Sequence, residues 1–328
     1  MKIYLLAGLV STILSIILGF ITIPILKKLK LGQNILGYVD KHKAKNGTAT
    51  MGGIFFMLST LITFIIFSKT FSKVSIMALT ISIAFAIIGF LDDFIKIKLK
   101  RNLGLTAMQK TVFMLVVAVL ASVFAFRQGL DFVFLPFFDK ELYLGVFSIL
   151  LSVFVFIATV NGANLTDGLD GLCASVSTVV FLAFAIIISI QIEQNQSIYL
   201  DSSEYKNLSL FSVIFSGSLL GYLVFNVNKA SVFMGDTGSL AIGGAVASIA
   251  IFSGNTLYIP FICIVYLISA LSVIIQVLYY KKTKKRVFKM APFHHHLELL
   301  GKTEWQISYY YSLATLIISV VLIIFIVG

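Results

Sequence analysis

Apolar segments long enough to cross a lipid bilayer recur along the whole of this 328-residue chain. A helix needs about 20 mainly apolar residues to span the hydrocarbon core, because each residue adds only about 1.5 Å. Hydrophobic residues make up 59% of the chain and charged residues only 12%, more apolar surface than a soluble protein of this length could bury. The short alternating strands of a β-barrel are absent from the sequence. The sequence therefore predicts an all-α, polytopic integral membrane protein that forms one transmembrane domain over residues 1–328.

The sequence predicts ten spans, and we expect the first to be a retained span. It is longer than the apolar part of a signal peptide, and no cleavage site of small residues follows it. Segments 52–68 and 238–253 are short and flanked by glycine, so their ends are the hardest to place. The ten segments run near 3–26, 52–68, 74–91, 107–126, 143–160, 172–190, 209–226, 238–253, 258–280 and 305–327.

The loops between these segments divide sharply by charge. One set of alternate loops carries 18 of the 25 Lys and Arg residues and all four His residues. The positive-inside rule assigns that set to the cytoplasm, and with ten spans both termini then lie outside. This orientation, with attraction to anionic lipid headgroups, accounts for the net charge of +11 without a nucleic-acid partner. The inner loops, where we expect any active site, are 27–51, 92–106, 161–171, 227–237 and 281–304.

Several carboxylates of the inner loops lie at the ends of apolar segments. Asp92 and Asp93 close the third segment, and Asp236 stands between two glycines before the eighth. Adjacent residues of a helix point about 100° apart, so we expect one member of the pair to reach a metal and the other to meet a second group. Solvated loop acids and, for Asp236, a helix N-cap are the alternatives. A carboxylate set without cysteine suits Mg²⁺ or Mn²⁺ better than zinc.

Residues 161–171 read NGANLTDGLDG. Asn164, Asp167 and Asp170 recur every three residues, which would place them along one face of a helix. Gly168 and Gly171 would then leave room for a flat ligand such as a nucleobase to approach the backbone. The alternative is a polar turn between two spans.

Two further segments carry groups that suit an anionic ligand. Residues 292–298 read PFHHHLE, and the imidazoles of His294, His295 and His296 could donate hydrogen bonds to phosphate oxygens. Zinc binding and a solvated loop are the alternatives for this segment. Lys45 and Thr50 precede the second span, where backbone amides at a helix start favour an anion. Lys110 could reach the same cleft or extend to the membrane interface.

Together these motifs resemble the phospho-N-acetylmuramoyl-pentapeptide transferase (MraY) family, within the superfamily of polyprenyl-phosphate N-acetylhexosamine-1-phosphate transferases. The resemblance covers essentially the whole chain. Asp92–Asp93, Asn164–Gly171 and Phe233–Asp236 match superfamily motifs, and APFHHHLE at Ala291–Glu298 points to the muramoyl-pentapeptide branch. Ala49 departs from the usual proline of that family, which we expect to relax its loop without altering the chemistry.

The resemblance implies transfer of phospho-N-acetylmuramoyl-pentapeptide from UDP-N-acetylmuramoyl-pentapeptide to undecaprenyl phosphate. The products would be lipid I and UMP. The cofactor would be Mg²⁺, for which Mn²⁺ could substitute. The enzyme would be a homodimer in the bacterial cytoplasmic membrane. We predict Asp236 as the main metal ligand. The implied catalytic residues are Asp92, Asp93, Asp236, His294, His295 and His296. The implied substrate-binding residues are Lys45, Thr50, Lys96, Lys110, Asn164, Asp167, Gly168, Leu169, Asp170 and Phe233.

We expect Asp92 to act on the lipid phosphate as a base or positioning group, with Asp93 supporting it. Direct attack by that phosphate is the preferred route because its second pKa is about 6, and a covalent phospho-aspartate route stays open. One rival function is a sister transferase that uses UDP-N-acetylglucosamine. A secondary transporter is a remote rival, since it would place ionisable residues near the middle of the bilayer, whereas these span interiors are almost uncharged.

Overall fold

A computed structural model describes residues 2–29, 47–68, 72–99, 104–138, 140–194, 200–227 and 229–327. Nine helices in this part of the chain are long and apolar enough to cross a membrane, and α2 is a shorter apolar helix of 15 residues. The prediction of a helical polytopic protein is confirmed. The helices are α1 (Lys2–Lys28), α2 (Gly53–Phe67), α3 (Lys73–Lys98), α4 (Ala107–Arg127), α5 (Phe147–Thr166), α6 (Leu172–Glu193), α7 (Ser202–Asn226), α8 (Gly235–Phe252), α9 (Ile259–Ile262), α10 (Ile264–Thr283), α11 (Phe293–Leu299) and α12 (Glu304–Val327).

Several helices continue beyond the apolar segments that predict them. α3 runs to Lys98 rather than ending near residue 91, so Asp92 and Asp93 belong to a helix and not to a loop. α5 likewise runs to Thr166 and includes Asn164. Hydropathy reports only the apolar length of a helix, whereas the helix ends where its backbone hydrogen bonding ends. The ninth segment is interrupted at Cys263, which separates α9 from α10.

An outer connection contains a short antiparallel hairpin, which the all-α prediction missed. β1 (Phe132–Phe134) pairs with β2 (Glu141–Tyr143), with Val133 opposite Leu142. Strands of three residues are too short to produce a recognisable alternation in the sequence. The hairpin lies between α4 and α5, away from the inner loops.

α8 lies at the centre of the bundle, packed against α2, α3 and α5. Every residue from Thr237 to Phe252 is buried. The helix is rich in Gly, Ala and Ser, the small residues that allow neighbouring membrane helices to approach closely. This packing brings the first turn of α8 against the inner ends of its neighbours.

Two glycines allow this close approach at the first turn of α8. A Cβ atom on Gly89 of α3 would lie closer than 3.0 Å to the carbonyl oxygen of Asp236. A Cβ atom on Gly53 of α2 would lie equally close to the backbone nitrogen of Gly238. The backbones of α2 and α3 therefore meet that of α8 between Asp236 and Gly238, leaving no space for side chains at these contacts.

The segment before α2 pairs with the segment before α8. Ala49 and Val232 form a parallel bridge, in which the Phe233 N–H donates to the Ala49 carbonyl at 2.8 Å. The Gly52 N–H in turn donates to the Phe233 carbonyl at 2.8 Å. A proline at position 49 would offer the same carbonyl, so the departure at Ala49 leaves this pairing intact.

Candidate active site

Three carboxylates converge where α3 meets α8. Asp92, Asp93 and Asp236 each offer an oxygen, and these three oxygens lie within 4.8 Å of one another. Asp92 and Asp93 are each 3% exposed, although both are charged residues. Both members of the adjacent pair therefore lie beside Asp236, although neighbouring helix positions point about 100° apart.

Asp93 caps the first turn of α8. Its Oδ2 accepts the backbone N–H of Thr237 at 2.9 Å and the Thr237 hydroxyl at 2.8 Å, and its Oδ1 accepts the Asp236 N–H at 3.2 Å. These amides begin a helix and have no partner within it. The alternative that Asp236 is the N-cap is wrong, because Met234 holds that position. Capping by Asp93 frees the Asp236 side chain for other partners.

Two lysines neutralise the carboxylate cluster. The Nζ of Lys96 lies 2.6 Å from Asp92 Oδ2 and 3.1 Å from Asp236 Oδ2. The Nζ of Lys110 lies 2.9 Å from the same Asp236 oxygen. Buried carboxylates this close repel one another, and the two ammonium groups offset part of that repulsion. The site therefore already accommodates positive charge between its acids.

Asn164 orients Asp236 from the last turn of α5. Its Nδ2 donates to Asp236 Oδ1 at 2.8 Å and to the Ser239 hydroxyl at 2.9 Å. Its Oδ1 accepts from Lys110 at 3.4 Å. An amide supplies both a donor and an acceptor, so Asn164 can hold a carboxylate and an ammonium at once.

Residues 167–171 form a turn, so the prediction that Asn164, Asp167 and Asp170 share a helical face is wrong. α5 ends at Thr166 because Asp167 leaves helical geometry. Burial raises the pKa of Asp167 well above its usual range, and the carboxylates of Asp236, Asp93 and Asp170 add to the effect. Asp170 instead accepts the Ala230 N–H at 3.0 Å. Leu169 is buried in the hydrophobic core.

The glycines of this turn do not leave room for a nucleobase in the way that was predicted. A Cβ atom on Gly168 would collide with Nε2 of His294, so the imidazole already fills that space. Gly171 has φ +75° and precedes α6, a conformation that favours glycine. Its N–H donates to the Asn226 side chain at 2.9 Å. Packing and turn geometry explain both glycines.

The three histidines occupy three different environments on α11. His294 is fully buried against Gly168. His295 lies with its Nδ1 3.2 Å from Oε2 of Glu298. His296 accepts the Lys289 N–H on Nδ1 at 3.1 Å, and its ring stacks on Phe293. Successive positions of a helix point in different directions, although the rings of His294 and His295 still touch, with their centroids 4.4 Å apart.

Of the remaining predicted residues, Thr50 and Phe233 belong to the part of the chain that the structure describes. Lys45 lies outside the described residues. Thr50 is buried, and no described residue hydrogen bonds to its hydroxyl. A Cβ atom on Gly235 would lie closer than 3.0 Å to both Thr50 Oγ1 and Asp93 Oδ2, which places Thr50 beside the cluster. Phe233 is half-buried and held by its backbone pairing.

Sequence reasoning missed two residues that hold the inner loops together. Asn226, at the end of α7, accepts the Gly171 N–H and donates to the Val232 carbonyl, both at 2.9 Å. Glu304, in the first turn of α12, accepts the Asp170 N–H at 2.9 Å. The sequence does offer one signal for Asn226, which is an amide side chain at the end of an apolar segment. An amide buried at such a position is expected to hydrogen bond to backbone groups.

A cavity of about 470 Å³ adjoins the 167–171 turn. Its walls include Asp170, Glu298, Lys302, Glu304 and Trp305. The volume falls in the range of small-molecule sites. The turn is therefore in contact with a space of nucleoside size.

Comparison with known proteins shows the family to which this chain belongs. Residues 74–254 match the model of glycosyl transferase family 4. Three bacterial relatives bear the name phospho-N-acetylmuramoyl-pentapeptide-transferase. The relative from Bacillus pumilus is 42% identical over 313 residues, 94% of this chain and 93% of its own. Those from Bacillus subtilis and Caldanaerobacter subterraneus are 40% and 43% identical, covering 95% of this chain and 94% and 95% of their own.

The chain belongs to the phospho-N-acetylmuramoyl-pentapeptide-transferase family. The resemblance inferred from the motifs is confirmed, and the transferase is a multi-pass membrane protein. The match to glycosyl transferase family 4 contains Asp92, Asp93, Asn164 and Asp236. The histidines of this transferase lie beyond that match, within the nearly full-length similarity to its relatives.

Proposed function

We propose that this transferase moves phospho-N-acetylmuramoyl-pentapeptide from its UDP carrier to undecaprenyl phosphate, giving lipid I and UMP. The observation that carries the proposal is the convergence of Asp92, Asp93 and Asp236 with Lys96 and Lys110 at the inner ends of three helices, α3, α4 and α8. Similarity to named transferases over about 94% of the chain supports the same function. As in the family, we propose a homodimer of a single transmembrane domain in the bacterial cytoplasmic membrane.

The carboxylate cluster fits Mg²⁺. Opposite ligands of a six-coordinate Mg²⁺ lie about 4.2 Å apart, so oxygens within 4.8 Å of one another need only small movements to bind one ion. Oxygen ligands without sulfur suit Mg²⁺ or Mn²⁺. Bound there, the ion would supply positive charge that neutralises and orients the diphosphate.

Asp236 is the proposed main ligand because its partners are side chains that can move. Both oxygens of Asp93 accept backbone N–H groups of α8. One oxygen of Asp92 accepts the Leu105 N–H at 2.8 Å. Asp236 is held by Lys96, Lys110 and Asn164, which can rotate away. A shift of the lysines would open its carboxylate.

Lys96 and Lys110 would then bind phosphate oxygens. The two reactants are both anionic and repel each other, so fixed cations near the transferring phosphorus lower the barrier. Asp92 would position the lipid phosphate for direct attack, supported by Asp93. Trapping a phosphorylated Asp92 or Asp93 from the UDP substrate alone would contradict this direct route.

Asp167 and the histidines would complete the substrate site. Burial raises the pKa of Asp167, which favours the uncharged carboxyl beside an anionic nucleotide. The cavity at Asp170 offers space for its nucleoside. His294 and His295 would bind diphosphate oxygens as hydrogen-bond donors.

Substrate preference tests the proposed function against the sister transferase. We expect the purified chain with Mg²⁺ and undecaprenyl phosphate to release UMP from UDP-N-acetylmuramoyl-pentapeptide, and to leave UDP-N-acetylglucosamine unchanged. The measurement is UMP together with the lipid-linked product. A preference for UDP-N-acetylglucosamine would contradict the proposal, as would solute flux across liposomes without UMP release.

A further inference from the structure

The inner half of α10 stands apart from the rest of the bundle. All buried residues of this helix lie between Val265 and Ser272, so no residue of its second half is buried. The four successive residues Val277–Tyr280 span more than one helical turn, and each is at least 44% exposed. A helix that is mainly apolar on every side requires a non-polar environment. Lipid is therefore what surrounds this half of α10.

The chain that follows α10 folds back along this exposed half. Lys284 ends the helix in a left-handed conformation, with φ +56°. The Gln276 Oε1 accepts the N–H groups of Val287 and Phe288, both at 3.0 Å, and its Nε2 donates to the Phe288 carbonyl at 3.2 Å. Gln276 lies about two turns before the end of α10, so the returning chain reaches the depth of its side chain. Residues 273–289 therefore form a projection, which we name the α10 arm.

The tip of the α10 arm carries positive charge that no described carboxylate neutralises. Its six cations are all exposed, and no acidic residue occurs in the sequence between Asp236 and Glu298. Within the described part of the chain, none of the six forms an ion pair. Their attraction for an external anion is therefore not offset by the protein itself. The six are Lys281, Lys282, Lys284, Lys285, Arg286 and Lys289.

The α10 arm combines charge and apolar surface in the order found in a phospholipid. The cations follow the last apolar residues of the helix, which places them among the lipid headgroups. Leu278 and Val287 are exposed beside them and face the acyl chains. A soluble anion, such as an acidic protein or a nucleic acid, would meet the cations but leave this apolar surface without a partner. An anionic lipid matches both parts of the arm.

We propose that the α10 arm is a binding surface for anionic phospholipids of the inner leaflet. Lys281, Lys282 and Lys285 hold the phosphate groups, and the acyl chains lie against the exposed apolar residues of the arm. Each lysine near an anionic membrane surface favours binding by about fivefold, so the three together select anionic over zwitterionic lipid. This property goes beyond the proposed function and does not depend on it.

Brominated lipids show which headgroup collects at the arm, because bromine on an acyl chain quenches a tryptophan that it contacts. Trp305 is the only tryptophan of the chain, so Val287→Trp in a Trp305→Phe background places a single fluorophore on the arm. In phosphatidylcholine nanodiscs, brominated phosphatidylglycerol should quench at least about threefold more than brominated phosphatidylcholine at the same mole fraction. High salt should reduce this excess, because it screens exposed charges.

Two sets of substitutions test the lysines of the arm. The triple variant Lys281→Gln, Lys282→Gln and Lys285→Gln should make quenching by the two lipids equal. Arginine at the same three positions keeps the charge and should keep the excess. All three side chains are exposed, so these changes should leave the fold intact.

The matched control removes the same charge elsewhere on the inner side. Lys27→Gln, Lys28→Gln and Lys98→Gln change exposed lysines at the inner ends of α1 and α3, and the excess should persist. Equal quenching by the two lipids in the parent protein, an excess that high salt leaves unchanged, or an equal loss in both glutamine variants would overturn the inference. The readout involves no substrate, so a failure of the proposed function would not affect it.

Discussion

Replacing Asp236 with Asn should lower the rate of UMP release by at least about 10³-fold, without unfolding the protein. The amide has nearly the same shape but lacks the charge that binds a cation. Loss of one group that stabilises transition-state charge typically costs about 10²- to 10³-fold, and here Lys96 and Lys110 also lose their shared partner. Initial rates should be measured at saturating substrate and Mg²⁺, per mole of folded protein.

Asp201→Asn is the matched control for that substitution. Asp201 is exposed, precedes α7 and makes no capping hydrogen bond with its side chain. We expect its activity to stay within about twofold of the wild type, as surface changes usually perturb little. Asp236→Asn with more than about a tenth of wild-type activity would contradict the role of this carboxylate.

Gly89→Ala should impair both folding and activity. The added Cβ would collide with the backbone carbonyl of Asp236, which cannot rotate away as a side chain could. Overpacking of this kind costs about 1–3 kcal/mol, and it would separate α8 from Asp92 and Asp93, one turn along α3. We expect a lower Tm and a loss of roughly a hundredfold in UMP release, measured at a temperature where both proteins are folded.

Gly8→Ala supplies the same chemical change at a tolerant position. Its Cβ would meet Val213 Cγ1 of α7 at 3.1 Å, the end of a side chain that can shift. Alanine favours the helix by about 1 kcal/mol, so stability and activity should stay near those of the wild type. Equal behaviour of the two variants would show that the contact of α3 with α8 does not set the site geometry.

Local signals explain what could be predicted from the sequence. Hydropathy identifies the membrane segments because a span needs only length and apolar character. Charge asymmetry indicates the inner side, and it directed attention to Asp92 and Asp236, which the structure brings together. The motifs identify the family, as the comparisons confirm. These features depend on short stretches of sequence.

Contacts between distant residues explain what could not be predicted. Asp93 caps a helix that begins about 140 positions later, a pairing that no local pattern reveals. Gly168 is explained by the imidazole of His294, which packs on it from another loop. Asn226 joins two motifs, and its role becomes visible only when Gly171 and Val232 are seen to flank it.

The account depends most on direct contact between a divalent cation and the side chain at position 236. The metal preference of Asp236→Cys tests this contact most directly, because a thiolate disfavours Mg²⁺ and binds softer ions such as Cd²⁺. The measurement is the ratio of UMP-release rates with Cd²⁺ and with Mg²⁺. We predict that this ratio rises at least about a hundredfold in Asp236→Cys relative to the wild type. An unchanged ratio would show that the cation does not contact residue 236.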